Sequence, residues 1–111
     1  MRRKVEFEAV YQQGRRYGDA YLSMTVRLKV NGIARLGLAI AAKTVGNAIA
    51  RNKLRRIIRE SFRLAQHRLP KADFIIGARA AVRHASSPII RASLESLWEK
   101  AVVLCAASST L

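Results

Sequence analysis

The chain has 111 residues, half of them hydrophobic, with 21 Lys plus Arg against 7 Asp plus Glu and a formal net charge of +14. That length supports a single domain, 1–111, with one modest core, and the charge excess favours a polyanionic partner, nucleic acid and anionic membrane surfaces being the common ones. No run of about 18 apolar residues could span a bilayer, the start MRRKVEFEAVYQQG lacks the apolar stretch of a secretory signal, and the single Cys105 excludes an internal disulfide and suits a reducing cytoplasm.

In chain order, Phe7 to Gln13 predicts a short helix, with Gly14 placed to adopt the left-handed position just past its C-terminus. From Tyr21 to Val30, Leu22, Met24, Val26, Leu28 and Val30 alternate with Ser23, Thr25, Arg27 and Lys29, the period of a half-buried strand. Asn31-Gly32 predicts a tight hairpin turn, and Arg35 to Ala41 returns as the second strand of that hairpin. A long helix from Asn47 to His67 is closed by Pro70, and Phe74 to Ala80 reads as an interior strand. Ser86-Ser87-Pro88 has the form of an N-cap followed by an early helical proline. The last helix then runs to about Cys105, with Leu94, Leu97, Trp98, Ala101 and Val102 as its core-facing stripe and Cys105 at matching spacing. Strands followed and preceded by helices in this order predict an α+β two-layer sandwich, a sheet with helices on one face.

The long helix carries the charge. Set about 100° apart, Ala50, Leu54, Ile57, Ile58, Ser61, Leu64 and Ala65 share an apolar side, with Phe62 at its edge. Asn52, Arg55, Arg56, Arg59 and Arg63 share the other, Arg51 lies at the boundary and Lys53 points elsewhere. A solvated face normally mixes signs so that i,i+4 pairs offset repulsion; here Glu60 is the only acid among these positions. Guanidinium forks bind phosphate bidentately, so the imbalance favours a phosphate-binding face over mere solvation. A membrane-surface or calmodulin-target helix would carry bulky aromatics on its apolar side, and this one offers chiefly Leu, Ile and Ala.

The sequence offers little for catalysis. Glu6, Glu8, Asp19, Glu60, Asp73, Glu95 and Glu99 are scattered, with no clustered carboxylates for Mg²⁺, and Glu95 and Glu99 read as solvent groups flanking the last helix. His67, at a helix end, and His84, in a loop, read as surface residues rather than as an acid–base pair, one Cys and two His make no zinc site, and no phosphate-cradling GxxxxGK[ST] loop is present. Charge alone therefore leaves open a structural RNA- or DNA-binding protein of ribosomal or nucleoid type, without enzymatic role.

The run LGLAIAAKTVGNAIARNKLRRIIRESFR, Leu36 to Arg63, resembles the hallmark segment of the protein subunit of bacterial ribonuclease P. In that family a strand of type [LV]GL.[VI] passes through a lysine-bearing turn into a helix of pattern RNxx[KR]RxxRE, matched here by Arg51, Asn52, Arg55, Arg56, Arg59 and Glu60. Phe7, Tyr11 and Gly14 resemble the family's FxxxFxxG, DFIIGAR its following strand, and Leu94, Leu97 and Trp98 its terminal LxxLW. Where the family often has adjacent lysines in the turn, this chain has Ala42-Lys43.

The resemblance implies a subunit of the ribonucleoprotein that removes the 5′ leader of precursor tRNA. Mg²⁺ ions held mainly on the RNA subunit do the chemistry, and the protein itself has no catalytic residue, no metal site of its own and no small-molecule cofactor. It further implies a four-stranded, mostly antiparallel sheet like that of ribosomal protein S5 domain 2, with a left-handed βαβ crossover. The fourth strand falls either at Arg15 to Gly18 or within the hairpin. Implied RNA contacts are Lys43, Arg51, Asn52, Arg55, Arg56, Arg59 and Arg63. An implied cleft between the first helix and the sheet holds the single-stranded leader against aromatics, with Phe7 and Tyr11 as its candidates and Tyr21 or a strand residue near Thr25 as their neighbour; Phe7 suits packing onto the sheet equally well. The implied partners are the RNA subunit and the precursor tRNA leader, in the cytoplasm and away from membranes.

Overall fold

The computed structural model describes residues 4–109. Its elements are α1 (Lys4–Gln13), β1 (Arg15–Gly18), β2 (Leu22–Leu28), β3 (Arg35–Ala39), a one-turn α2 (Ala42–Val45), α3 (Ala48–Ala65), β4 (Ala72–Ala78) and α4 (Ser87–Ser109), with 3-10 turns at Gln66–Arg68 and Ala80–His84. The fourth strand is Arg15–Gly18.

The four strands form one mixed sheet in the order β1-β2-β4-β3. β1 pairs with β2 and β2 with β4 antiparallel, while β3 and β4 run parallel, joined through α3. The expected hairpin is therefore absent, because β4 lies between β2 and β3. The reason is burial: the first five residues of β4, Ala72 to Ile76, are all buried, so water is excluded from both of its faces and it takes an interior position. A two-residue turn joins strands about 4.8 Å apart, and the segment 29–34 instead spans twice that spacing. Asn31-Gly32 still bends the chain there, with Gly32 at φ +97°.

Alternation sorts the sheet into two faces. Leu22, Met24 and Val26 of β2 and Ala72, Phe74 and Ile76 of β4 join the core beneath α3 and α4. There Phe62, Phe74 and Trp98 meet edge-on with ring centroids 5.8 to 6.0 Å apart, and Trp98 Nε1 donates to Ser61 Oγ at 2.9 Å. Two assignments on α3 change. Phe62 is buried in this cluster and Leu64 is exposed, because the buried arc is centred nearer the Phe62 side than the apolar residues alone indicated.

The two long helices cover one face as expected, and the short α1 lies on the other. Its Val10 is fully buried although it stands outside the main cluster, as does Ile75, which sits opposite Thr25. Gly14 is not left-handed; the only positive-φ residues described are Gly32 and Gly46. Its requirement is steric: a Cβ there would lie 2.6 Å from the Val10 carbonyl oxygen and 2.7 Å from that of Val26, so glycine lets α1 turn tightly into the sheet.

Side chains then lock the ends. Asp19, in the β1–β2 turn, accepts from the Tyr21 and Leu22 amides at 2.8 and 2.9 Å and from the Ser93 hydroxyl of α4. Burial opposes its ionisation, but these donors outweigh that and hold its carboxyl below the usual range. Glu95 and Glu99, exposed as expected of solvent groups, also share Arg68 at 2.5 and 2.8 Å and tie the 3-10 turn after α3 to α4.

Candidate nucleic-acid interface

The charged helix starts from a defined geometry. Gly46, at φ 110° and ψ −142°, turns the chain out of α2, and Asn47 Oδ1 accepts from the Ala50 amide at 2.9 Å as the N-cap of α3. α2 is too short to satisfy its own last carbonyls, and Arg83 reaches across from the 3-10 turn to do so, donating from Nε to Thr44 O at 2.7 Å and from Nη2 to Lys43 O at 3.0 Å. Lys43 is exposed on this clamped turn.

Along α3, Asn52, Arg55, Arg56, Arg59 and Arg63 line one open depression of about 600 Å³, with Glu60 as the one acid in its lining. Glu60 is drawn to Arg91 of α4 at 2.9 Å. The other carboxylates are engaged away from this face: Asp73 by Lys29 and Arg35, Glu6 by Arg35, and Glu95 and Glu99 by Arg68. None of the ion pairs between described residues uses an arginine of the depression, so its positive field is left uncompensated. Arg51 is not part of this lining; it is half-buried, with its Nε shielded and without a hydrogen-bond partner. The structure thus gathers five of the seven expected RNA contacts into one surface and places Lys43 and Arg51 near the start of the same helix.

The other face of the sheet has its own character. α1 covers the Thr25–Ile75 region, where Val10 is buried. Ser23, Gly77 and Ala39 follow as a row of laterally paired residues with minimal side chains. A Cβ on Gly77 would come within 2.7 Å of Ser23 Oγ. Glycine within a strand marks close approach, and this was the available sequence signal for the flat floor beside α1, which pattern reading alone passed over. Phe7 is half-buried and Tyr11 half-exposed on α1, flanking this surface. Tyr21 is half-buried and packs against the core cluster; the ring–ring contacts among described residues do not bring it together with Phe7 or Tyr11.

At the end of that face a buried carboxylate orders the charges. Asp73 receives Lys29 Nζ at 2.8 Å and the Arg35 fork at 2.9 and 3.1 Å, and Arg35 reaches Glu6 of α1 at 3.8 Å. Burial resists ionisation of Asp73; the bonds and charges of Arg35 and Lys29 prevail and keep its carboxyl below the ordinary range. Among the described residues, no three of His, Cys, Asp and Glu come together to hold a metal ion, and no helix is long and apolar enough to cross a membrane.

The fold and this surface define a polyanion-binding α+β protein in which Glu6, Glu60, Asp73, Glu95 and Glu99 are occupied in ion pairs with Arg or Lys. A model of the ribonuclease P family matches residues 1–102. The chain is similar to the ribonuclease P protein component of Escherichia coli O157:H7, 39% identical over 95 residues that cover 86% of this chain and 80% of that one, and equally to that of Shigella boydii serotype 18. Among solved structures it is similar to the Staphylococcus aureus RNase P protein, with a TM-score of 0.84 at 25% identity over 91% of this chain and 93% of that one. The RNase P protein from Thermotoga maritima gives 0.81 at 26% identity, over 90% and 94%. The chain belongs to the ribonuclease P protein family. It is a protein subunit of the ribonucleoprotein that removes the 5′ leader of precursor tRNA, its partner is the RNA subunit, and the ribosomal or nucleoid alternative falls away.

Proposed function

We propose that α3 docks on RNA through its uncompensated arginine face, with Asn52, Arg55, Arg56, Arg59 and Arg63 meeting phosphates and Lys43 and Arg51 contributing at the helix start. The observation that carries this is the single depression in which those five α3 residues converge while the acids that could neutralise them are paired elsewhere. The single-stranded leader of precursor tRNA lies on the flat sheet floor beside α1. There Phe7 and Tyr11 offer aromatic faces to its bases, while Tyr21 packs against the core cluster. Such stacking contributes about 1 to 3 kcal/mol per base and tolerates any sequence, which suits an enzyme that meets many leaders.

Catalytic Mg²⁺ is held mainly by the RNA subunit; on this chain Glu6, Glu60, Asp73, Glu95 and Glu99 are engaged with Arg or Lys rather than grouped as a hard-cation site. The protein's part is to neutralise phosphate repulsion and so favour the compact, metal-binding RNA. Its setting is the cytoplasm.

The test is reconstitution of the full chain with a bacterial ribonuclease P RNA at low Mg²⁺, assaying cleavage of precursor tRNA. Strong stimulation over RNA alone is expected; cleavage no faster than with the RNA alone would sink the proposal.

A further inference from the structure

A second groove continues the arginine face beyond the end of α3. It is an open trough of about 500 Å³ between the helix end and the β2–β3 connection, lined by Ile33, Ala34, Arg63, Gln66, His67 and Lys71 among others. Arg63 lines both depressions, so the two adjoin at its side chain. The walls are fixed: Gln66 Nε2 donates to Ala34 O at 3.2 Å, bridging helix end and loop, and the Lys29 amide donates to Lys71 O at 2.8 Å, fixing the backbone at Lys71.

His67 and Lys71 are exposed, and neither side chain takes part in an ion pair or hydrogen bond among the described residues. The carboxylate nearest in sequence, Asp73, is held by Lys29 and Arg35. The trough therefore presents donors and positive charge with no acid to answer them, the chemistry that recognises a phosphodiester backbone.

We propose that the RNA subunit's backbone runs past the α3 face into this trough, with Arg63 as the shared contact and His67 and Lys71 as additional phosphate ligands. This rests on the reading of α3 as the RNA-docking helix. From Asn52 to Arg63 that helix spans roughly 17 Å, and the trough lengthens the track by a further turn. The RNA subunit is assigned because the trough extends the α3 surface, whereas the leader floor lies beside α1 on the opposite side of the sheet.

The experiment compares the wild-type chain, the double variant His67→Ala/Lys71→Ala and the double variant Arg55→Ala/Arg59→Ala. Each is titrated against ribonuclease P RNA and, separately, precursor tRNA over a range of KCl concentrations. Circular dichroism and thermal melts establish that the substitutions leave the fold intact. For His67→Ala/Lys71→Ala the Kd for ribonuclease P RNA should rise roughly tenfold, with a log–log salt slope shallower by about 1; Lys71→Arg alone should keep wild-type affinity. If His67→Ala/Lys71→Ala binds ribonuclease P RNA with unchanged Kd and slope while Arg55→Ala/Arg59→Ala loses affinity, the trough is overturned and the α3 face stands. If neither variant changes, both readings fall. A loss confined to precursor tRNA overturns the assignment to the RNA subunit.

Discussion

Arg35 grips Asp73 through two parallel bonds, Nε to Oδ1 at 2.9 Å and Nη2 to Oδ2 at 3.1 Å, across the single parallel strand pair of the sheet. Side-by-side residues on β3 and β4 are thereby stapled, and Glu6 of α1 reaches the same guanidinium at 3.8 Å. Asp73→Asn keeps the shape and removes the charge. It should lower stability by about 2 to 3 kcal/mol, less than for a fully buried pair, because Arg35 and Lys29 still reach solvent.

The pH dependence of that loss has a definite sign. Asp73 ionises more readily folded than unfolded, so its contribution is complete above the unfolded value of about 3.9 and is lost as pH falls through the lower folded value. Asp19 acts in the same direction. Urea unfolding of wild type and Asp73→Asn should therefore show a clear gap in midpoint at pH 7 that closes on acidification below that value; a gap that persists in acid would contradict the ion-pair account.

Gly14→Ala and Gly46→Ala should both destabilise, for different reasons. At Gly14 the new Cβ would meet two backbone oxygens at 2.6 and 2.7 Å, which cannot rotate away, so α1 must lift from the sheet at a cost of about 1 to 3 kcal/mol. At Gly46 no atom lies within 4 Å, yet φ is +110°, so the cost of roughly 1 to 2 kcal/mol is torsional. Hydrogen exchange separates them: Gly14→Ala should loosen α1 amides, and Gly46→Ala those at the start of α3.

The cap of α3 is a separate device. Asn47→Ala removes the bond to the Ala50 amide and should cost about 1 kcal/mol. Asn47→Asp should restore it and add a carboxylate at the positive end of the helix. Thermal unfolding measured on the three proteins should rank Asn47→Ala lowest.

Replacing Arg55 and Arg59 by Ala should weaken RNA binding while leaving the melting temperature nearly unchanged, since neither side chain is among the buried residues. With Lys43, Arg51, Arg55, Arg56, Arg59 and Arg63 all neutralising phosphate, the log–log salt slope should be about −5 on duplex RNA, and shallower on single strands. Titrations at several KCl concentrations check both values, and undiminished affinity at moderate salt would remove the face from the RNA interface.

The sequence by itself determined the elements and their faces. Period-two alternation placed Leu22, Met24 and Val26 on one side of β2, and helical spacing set Leu94, Leu97, Trp98 and Ala101 in the core, because these patterns are local and every one of those residues is fully or nearly fully buried. The arginine face was legible for the same reason: the geometry of one helix suffices to bring Asn52, Arg55, Arg56, Arg59 and Arg63 together. Tertiary structure decided what depends on partners distant in the chain. It put β4 between β2 and β3, since strand order is chosen by which strand gains most from burial on both faces. It set α1 on the opposite side of the sheet and moved Phe62 into the core in place of Leu64. It also joined Arg83 to the Lys43 turn and set Lys71 and the β2–β3 connection beside the end of the arginine track, between segments whose side chains carry no mutual signature in sequence; His67, four residues after Arg63, was already placed there by helical spacing.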